Sequence, residues 1–238
     1  MPPIKTLLLS GQNNHDWTRS TPFVHDLLEA SGKFSVAVTK DPSLTLAVPG
    51  ELARYDLIFS DYNGPEWSEA AKENFVAAVR GGTGLVILHA ADNAFPGWVE
   101  YEQMCALLWR EGAGHGSYHE FPVTLVDHDH PITRGVADFS LWDELYHRLT
   151  HMHEVPYHVL ATGFSSSESG GIGGETPAML TTQFGAGRVF HMILGHVWKA
   201  GDDPTYKGAT MITFENPGFQ ETLLRGCEWA ATGEVEGR

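Results

Sequence analysis

The sequence predicts an α/β fold built on a doubly wound, mainly parallel sheet. Three observations carry that reading. Short apolar runs at residues 4–9, 55–59 and 85–88 fit strands buried on both faces. Amphipathic stretches with helix start and stop signals alternate with them, so residues 1–90 read β-α-β twice over. Each of the three runs empties into a polar or aromatic loop, and in a parallel sheet such loops gather at the carboxyl edge, where ligands bind.

Residues 4–9 form the first strand, followed by the loop Gly11-Gln12-Asn13-Asn14-His15-Asp16-Trp17. Thr21-Pro22 opens a helix to Ala30, with Thr21 as N-cap and Pro22 at the first helical position. Residues 34–38 alternate as a second strand, and residues 41–51, rich in Pro and Thr, read as loop. The third strand, 55–59, ends at Ser60-Asp61-Tyr62-Asn63. From Ser68 a helix carries Phe75, Val76 and Val79 on one face until Gly81-Gly82 ends it. Residues 85–88 are the fourth strand, and it runs straight into His89-Ala90-Ala91.

The second half is less regular. Residues 101–110 read as a helix with Met104, Leu107 and Leu108 on one face. Residues 112–120 form a Gly/His loop, 122–126 a strand and 127–135 a turn. Residues 142–147 interleave acidic and basic groups without declaring an element type. Strands are expected at 157–161, 178–183 and 188–194, and the last of these meets Gly195-His196 just as the fourth strand meets His89. The Ser/Gly-rich stretch 165–175 reads as a mobile lid or spacer. Residues 219–231 form a closing helix with Leu223, Leu224, Cys227 and Ala231 at helical spacing. Nothing in the chain resembles a repeat or a linker, so residues 1–238 read as one domain.

Composition narrows the function classes. A hydrophobic content of 42% with 19% charged residues describes an ordinary folded chain. The formal charge of −15 argues against a nucleic-acid binder and against docking on anionic membranes. No run approaches the roughly 18 apolar residues of a membrane span, and the N-terminus lacks a cleavage pattern, so the chain reads as soluble and cytoplasmic. Cys105 and Cys227 read as buried free thiols in helices. A GxSxG elbow is missing, as is any cysteine at a strand end, which argues against acyl-enzyme chemistry. Gly81-Gly82-Thr83-Gly84 precedes its strand, so no nucleotide cofactor is expected.

What remains is a set of ionisable groups at strand ends: His15-Asp16, His89, Asp143-Glu144-Tyr146-His147 and His196, with His115 and His119 in the Gly/His loop. Thirteen histidines stand against fifteen Lys plus Arg, yet a lone histidine is more often hydrogen-bonded or solvent-facing than a ligand. Two strands that end directly in histidine move His89 and His196 away from that ordinary reading. Asp143 could simply cap a turn beside a solvated Glu144, and Asp127-His128-Asp129-His130 before Pro131 reads as a surface turn.

The run from Gly84 to Ala91 ending in His-Ala-Ala resembles the ThuA-like (trehalose utilisation) family. So do Asp129-His130-Pro131-Ile132-Thr133-Arg134-Gly135, Asp143-Glu144-Leu145-Tyr146-His147 and Leu194-Gly195-His196, together with Leu224-Arg225-Gly226-Cys227-Glu228-Trp229-Ala230-Ala231. With the similar Asn13-Asn14-His15-Asp16 near the N-terminus, these motifs span nearly the whole chain in order. The resemblance implies a flavodoxin-like, class I glutamine amidotransferase-like three-layer sandwich, with His89 standing where an amidotransferase has its catalytic cysteine. It also implies carbohydrate catabolism, on trehalose-type disaccharides or their 3-keto derivatives.

Two functions fit these residues. One is a keto-sugar isomerase, eliminase or hydrolase, with Glu144, His147 and His89 as acid–base groups. In it His15, Trp17, Tyr146 and Trp198 line the sugar pocket, and His89, His119 and His196 hold one divalent metal, Zn or Mn. The other is a non-catalytic sugar-binding or regulatory protein on the same scaffold. In both the partner is a small sugar, with neither nucleic acid nor membrane involved, and a homo-oligomer is compatible with either.

Overall fold

The computed structural model describes residues 2–199 and 211–236. Strand β1 (Ile4–Leu9) leads into helix α1 (Trp17–Ala30), then β2 (Phe34–Thr39), helix α2 (Pro42–Leu46), β3 (Leu57–Ser60), α3 (Glu69–Gly81) and β4 (Gly84–Leu88). Helix α4 (Val99–Cys105) precedes three strands, β5 (Leu107–Leu108), β6 (Gly114–His115) and β7 (His119–Leu125). Next come β8 (Phe139–Asp143), β9 (Tyr146–His147), β10 (Thr150–His151), β11 (Tyr157–Ser165), β12 (Gly174–Phe184) and β13 (Gly187–Met192). Helices α5 (Ile212–Glu215) and α6 (Pro217–Thr232) close the chain.

Nine strands form one sheet in the order β2-β1-β3-β4-β13-β12-β11-β7-β8. The first five are mutually parallel, in the 2-1-3-4-5 order of flavodoxin-like sheets, and the remaining four extend it by antiparallel pairing. Strand periodicity divides the core into two layers. Leu8, Val86, Phe190 and Met192 face α1 and α6, whose Val24, Leu28, Phe219 and Cys227 cover them. Leu7, Leu9, Ile58 and Ile87 face the other way, onto Phe75 and Val79 of α3 and Tyr101 and Met104 of α4. The three-layer α/β sandwich with a large, mostly parallel sheet is therefore the architecture of this chain.

Local differences from the sequence reading each have a cause. Helix α1 starts at Trp17, four residues before the expected cap, and Pro22 lies inside it. Thr21 does not cap: its hydroxyl and that of Ser20 turn inward onto the Asp61 carboxylate, at 2.8 and 2.7 Å. The stretch 41–51 holds the short helix α2, because Asp41 accepts from the Leu44 amide and Pro42 sits at its first turn. The helix expected over 101–110 stops at Cys105, since Ala106 takes a positive φ of 61° and turns Leu107 and Leu108 into β5. Both cysteines are buried free thiols.

The Ser/Gly-rich stretch is not a long loop. β11 and β12 extend to Ser165 and Gly174, leaving a hairpin tip whose Ser169 carbonyl accepts from the Ser117 amide at 2.7 Å. It buttresses the β6 region instead of spanning the site. The 127–135 stretch is a turn, with Asp127 Oδ1 accepting from the Asp129 and His130 amides. None of the described helices is long and apolar enough to cross a membrane.

Candidate active site

The carboxyl ends of β1, β3, β4 and β13 open onto one edge, and each delivers a polar group to it. β4 carries five buried residues in succession and ends at His89, which adopts a left-handed φ of 45°. That conformation costs a β-carbon-bearing residue about 1–3 kcal/mol and concentrates at functional sites. It turns the imidazole back over the strand end, where Nδ1 lies 2.6 Å from the Ile193 carbonyl. A carbonyl only accepts, so His89 carries its proton on Nδ1 and presents Nε2 as a lone pair. Gly195 permits the close approach, because a β-carbon there would sit 3.2 Å from the His89 Cβ and 3.0 Å from Leu88.

His196 follows from β13, and Asp143 fixes its backbone. The buried Asp143 carboxylate accepts from the amides of Gly195 (2.7 Å), Glu144 (2.7 Å) and His196 (3.2 Å), so it ties the β8–β9 bend to the β13 loop. Glu144 is buried rather than solvated, with Oε2 3.0 Å from His196 Nδ1 and 3.4 Å from His115 Nδ1. His15 arrives from the β1–α1 loop, its amide held by Asn13 Oδ1 at 3.0 Å and its Nε2 2.9 Å from His196 Nδ1. Ring centroids are 4.7 Å apart for His15 and His89, 4.4 Å for His15 and His196, and 5.6 Å for His89 and His196.

Burial is the main influence on these rings. Desolvation holds His15, His89 and His196 well below the usual histidine range, and the repulsion of neighbouring imidazoles adds to it. All three are neutral at pH 7. Tyr146 stacks on His89 at 4.2 Å, and Trp109 packs against Tyr146 at 4.4 Å. Trp198 lies edge-on to His196 at 4.6 Å. Tyr146, Trp109 and Trp198, together with His15, Glu144 and His196, line a cavity of about 270 Å³ whose wall also includes Asn14, Asn93, His115 and Lys199.

Five of the seven residues expected to bind sugar or metal sit in or on this cluster: His15, Tyr146, Trp198, His89 and His196, joined by Glu144 of the acid–base set. Three other expected residues do not join it. His119 opens β7 with its Nδ1 turned to the Ser117 carbonyl at 2.7 Å, away from the other two expected ligands, and His15 takes its place. Trp17 is the first residue of α1 and lies beside the Lys40 ammonium at 5.7 Å, outside the cavity wall. His147 is buried against Gly114, because strand alternation in β9 turns it away from the face Tyr146 presents. Sequence reasoning missed Trp109, Asn93 and the role of His115. The β6–β9 register sets His115 opposite Tyr146, which no periodicity in a two-residue strand announces.

Asp61, at the end of β3, supports the His15 loop from below. Oδ2 accepts from Ser20 and Thr21, and Oδ1 accepts from Asn13 Nδ2 at 3.3 Å. Burial raises its pKa to about 7 against these hydrogen bonds. The folded protein thus binds a proton that the unfolded chain releases near pH 4, so Asp61 contributes stability below that value and loses it as pH rises to 7. Asp61→Asn is uncharged throughout, but it has one acceptor oxygen where the carboxyl has two, so either Asn13 or the Ser20 and Thr21 hydroxyls lose an acceptor. The variant is expected to be less stable than wild type at pH 5, with the deficit narrowing at pH 8. Urea unfolding at both pH values measures this, and a deficit that grows with pH would refute it.

A family model described as ThuA, trehalose utilisation, matches residues 5–230. A protein from Parabacteroides merdae, described as ThuA-like, has a crystal structure similar to this chain at 36% identity and a TM-score of 0.86, covering 99% of this chain and 92% of that one. A second, from Bacteroides uniformis and also described as ThuA-like, superposes at 17% identity and TM-score 0.69, covering 98% and 95%. A cytoplasmic protein of Salmonella typhimurium shares the fold at 13% identity and TM-score 0.61, covering 95% and 98%. Among curated proteins none matches.

Proposed function

Since this chain belongs to the ThuA trehalose-utilisation family and so to carbohydrate metabolism, we propose that it is an enzyme acting on trehalose-type disaccharides or their 3-keto derivatives, with Glu144 as general base. One observation supports the reading above others: the buried Glu144 carboxylate and the neutral His15 and His196 line a cavity of about 270 Å³ walled by Trp109 and Trp198, with the neutral His89 stacked against Tyr146 of the same wall. Tryptophan faces suit the apolar C–H surface of a sugar ring, and Asn14 and Asn93 supply donors and acceptors for its hydroxyls.

The chemistry follows from the groups present. A C–H bond next to a ketone is acidic enough for a carboxylate or imidazole base. Glu144 takes that proton, and the electron pair moves into the carbonyl as an enolate. In a 3-keto glucoside the glycosidic oxygen leaves from the carbon beside the new anion, taking a proton, and the double bond that forms can then add water. His196, 3.0 Å from Glu144, keeps the carboxylate aimed into the cavity, while Asp143 fixes the bend that carries both. Burial excludes water from the base and raises the effect of each dipole around it.

The test is to incubate the protein with trehalose and with 3-keto-trehalose in D₂O and follow both by NMR. The expected result is exchange of the proton next to the ketone, with breakdown of the keto sugar and none of trehalose alone. Saturable binding without exchange or turnover would favour the sugar-binding protein. Neither binding nor exchange would overturn the sugar reading altogether.

A further inference from the structure

We propose that His15, His89 and His196 form a site for one divalent transition-metal ion of the zinc class. The proposal does not rest on the sugar chemistry above and can fail or stand without it. One ring nitrogen from each of the three lies within 4.8 Å of the other two. The three residues are 9%, 2% and 7% exposed, so the donors converge in a buried pocket and not on a solvated surface.

Hydrogen bonding gives an independent argument. His15 Nδ1, His89 Nε2 and His196 Nε2 are all buried, and none has a hydrogen-bond partner among the described residues. A single buried nitrogen left without a partner is costly, and three among touching rings call for a ligand. His196 Nδ1 faces both Glu144 Oε2 at 3.0 Å and His15 Nε2 at 2.9 Å. With its proton on Nδ1 facing Glu144, His196 keeps the lone pair of Nε2 for a cation.

The surroundings resemble the outer shell that metal-binding histidines require. His89 gives its Nδ1 proton to the Ile193 carbonyl, which fixes its tautomer and its ring. His196 has a carboxylate at Nδ1, and its backbone is tied down by Asp143. Asn13 and Asp61 hold the His15 loop. Imidazoles bind metal in their neutral form, the form burial imposes here. Three nitrogen donors favour zinc and its neighbours over magnesium or calcium, which prefer oxygen. Three protein ligands with room beside them leave a position open, as catalytic rather than structural zinc sites do.

The experiment uses the whole chain, stripped with chelator and dialysed, then titrated with zinc and with cobalt(II) while binding heat and visible absorption are recorded. Wild type and His119→Ala are expected to bind about one equivalent. His15→Ala, His89→Ala and His196→Ala are expected to bind at least 100-fold more weakly, beyond the roughly 10–100-fold that outer-shell changes cost. Circular dichroism checks each fold, and His15→Gln and His196→Gln stand in for any alanine variant that does not fold. Wild type without saturable binding, binding unchanged in the His15 and His196 variants, or equal loss in His119→Ala would each overturn the site.

Discussion

Replacing Glu144 by glutamine is expected to lower turnover of the keto sugar by roughly 10²–10⁴-fold, the span a positioned general base contributes. Glutamine keeps the length of the side chain and an oxygen that can accept from His196, so the β8–β9 bend has no reason to move. What it lacks is the basic lone pair. The loss should therefore fall on kcat, with KM changed little and with NMR exchange of the substrate proton abolished in step. Equilibrium unfolding serves as the control, because a collapsed bend would lower stability and raise KM as well. Turnover within threefold of wild type would remove Glu144 from the role of base, and the neutral histidines would be the next groups to test.

The second large effect concerns the scaffold. Gly226 lies in α6 where that helix crosses β13, and a β-carbon there would sit 2.1 and 2.2 Å from two ring carbons of Phe190. Phe190 is fully buried in the layer between α6 and the sheet, so its ring has nowhere to go. Gly226→Ala must either push α6 off the sheet or force Phe190 from its rotamer. Overpacking of this kind costs about 3 kcal/mol, which in a chain of this length lowers Tm by roughly 6–12 °C. Adding Phe190→Leu should recover part of that loss by freeing the volume the new methyl needs. If the double variant melts no higher than Gly226→Ala, the clash with Phe190 is not its cause.

Much of the frame was legible because buried parallel strands write themselves as unbroken apolar runs. Leu85 to Leu88 could be placed by that alone, and the strand-end rule then singled out His89 and, from β13, His196. Ser68 and Gly82 bracketed α3 through ordinary capping chemistry. The site was only half legible, for a physical reason: sequence specifies where a loop begins more firmly than where its rings point. His15 lies in the loop after β1 and His119 opens β7, and only the Asn13–Asp61 and Ser117 contacts decide that one turns inward and the other outward. Trp17 and Trp109 make the same point. A single positive φ at Ala106 ends α4 and brings Trp109 over Tyr146, and no apolar spacing encodes it.

The bond between His15 and His196 joins positions 181 residues apart, and the cluster also needs residues 89 and 143–144. Contacts of such separation are made late, since closing the intervening chain has an entropic cost that only the finished sheet repays. A nascent chain still held in the ribosome short of β13 carries the first two histidines but not the third. An ion held by all three histidines would therefore bind only chains in which β13 has been made and has joined the sheet. Such an ion would stabilise the folded chain by RT ln(1 + [L]/Kd).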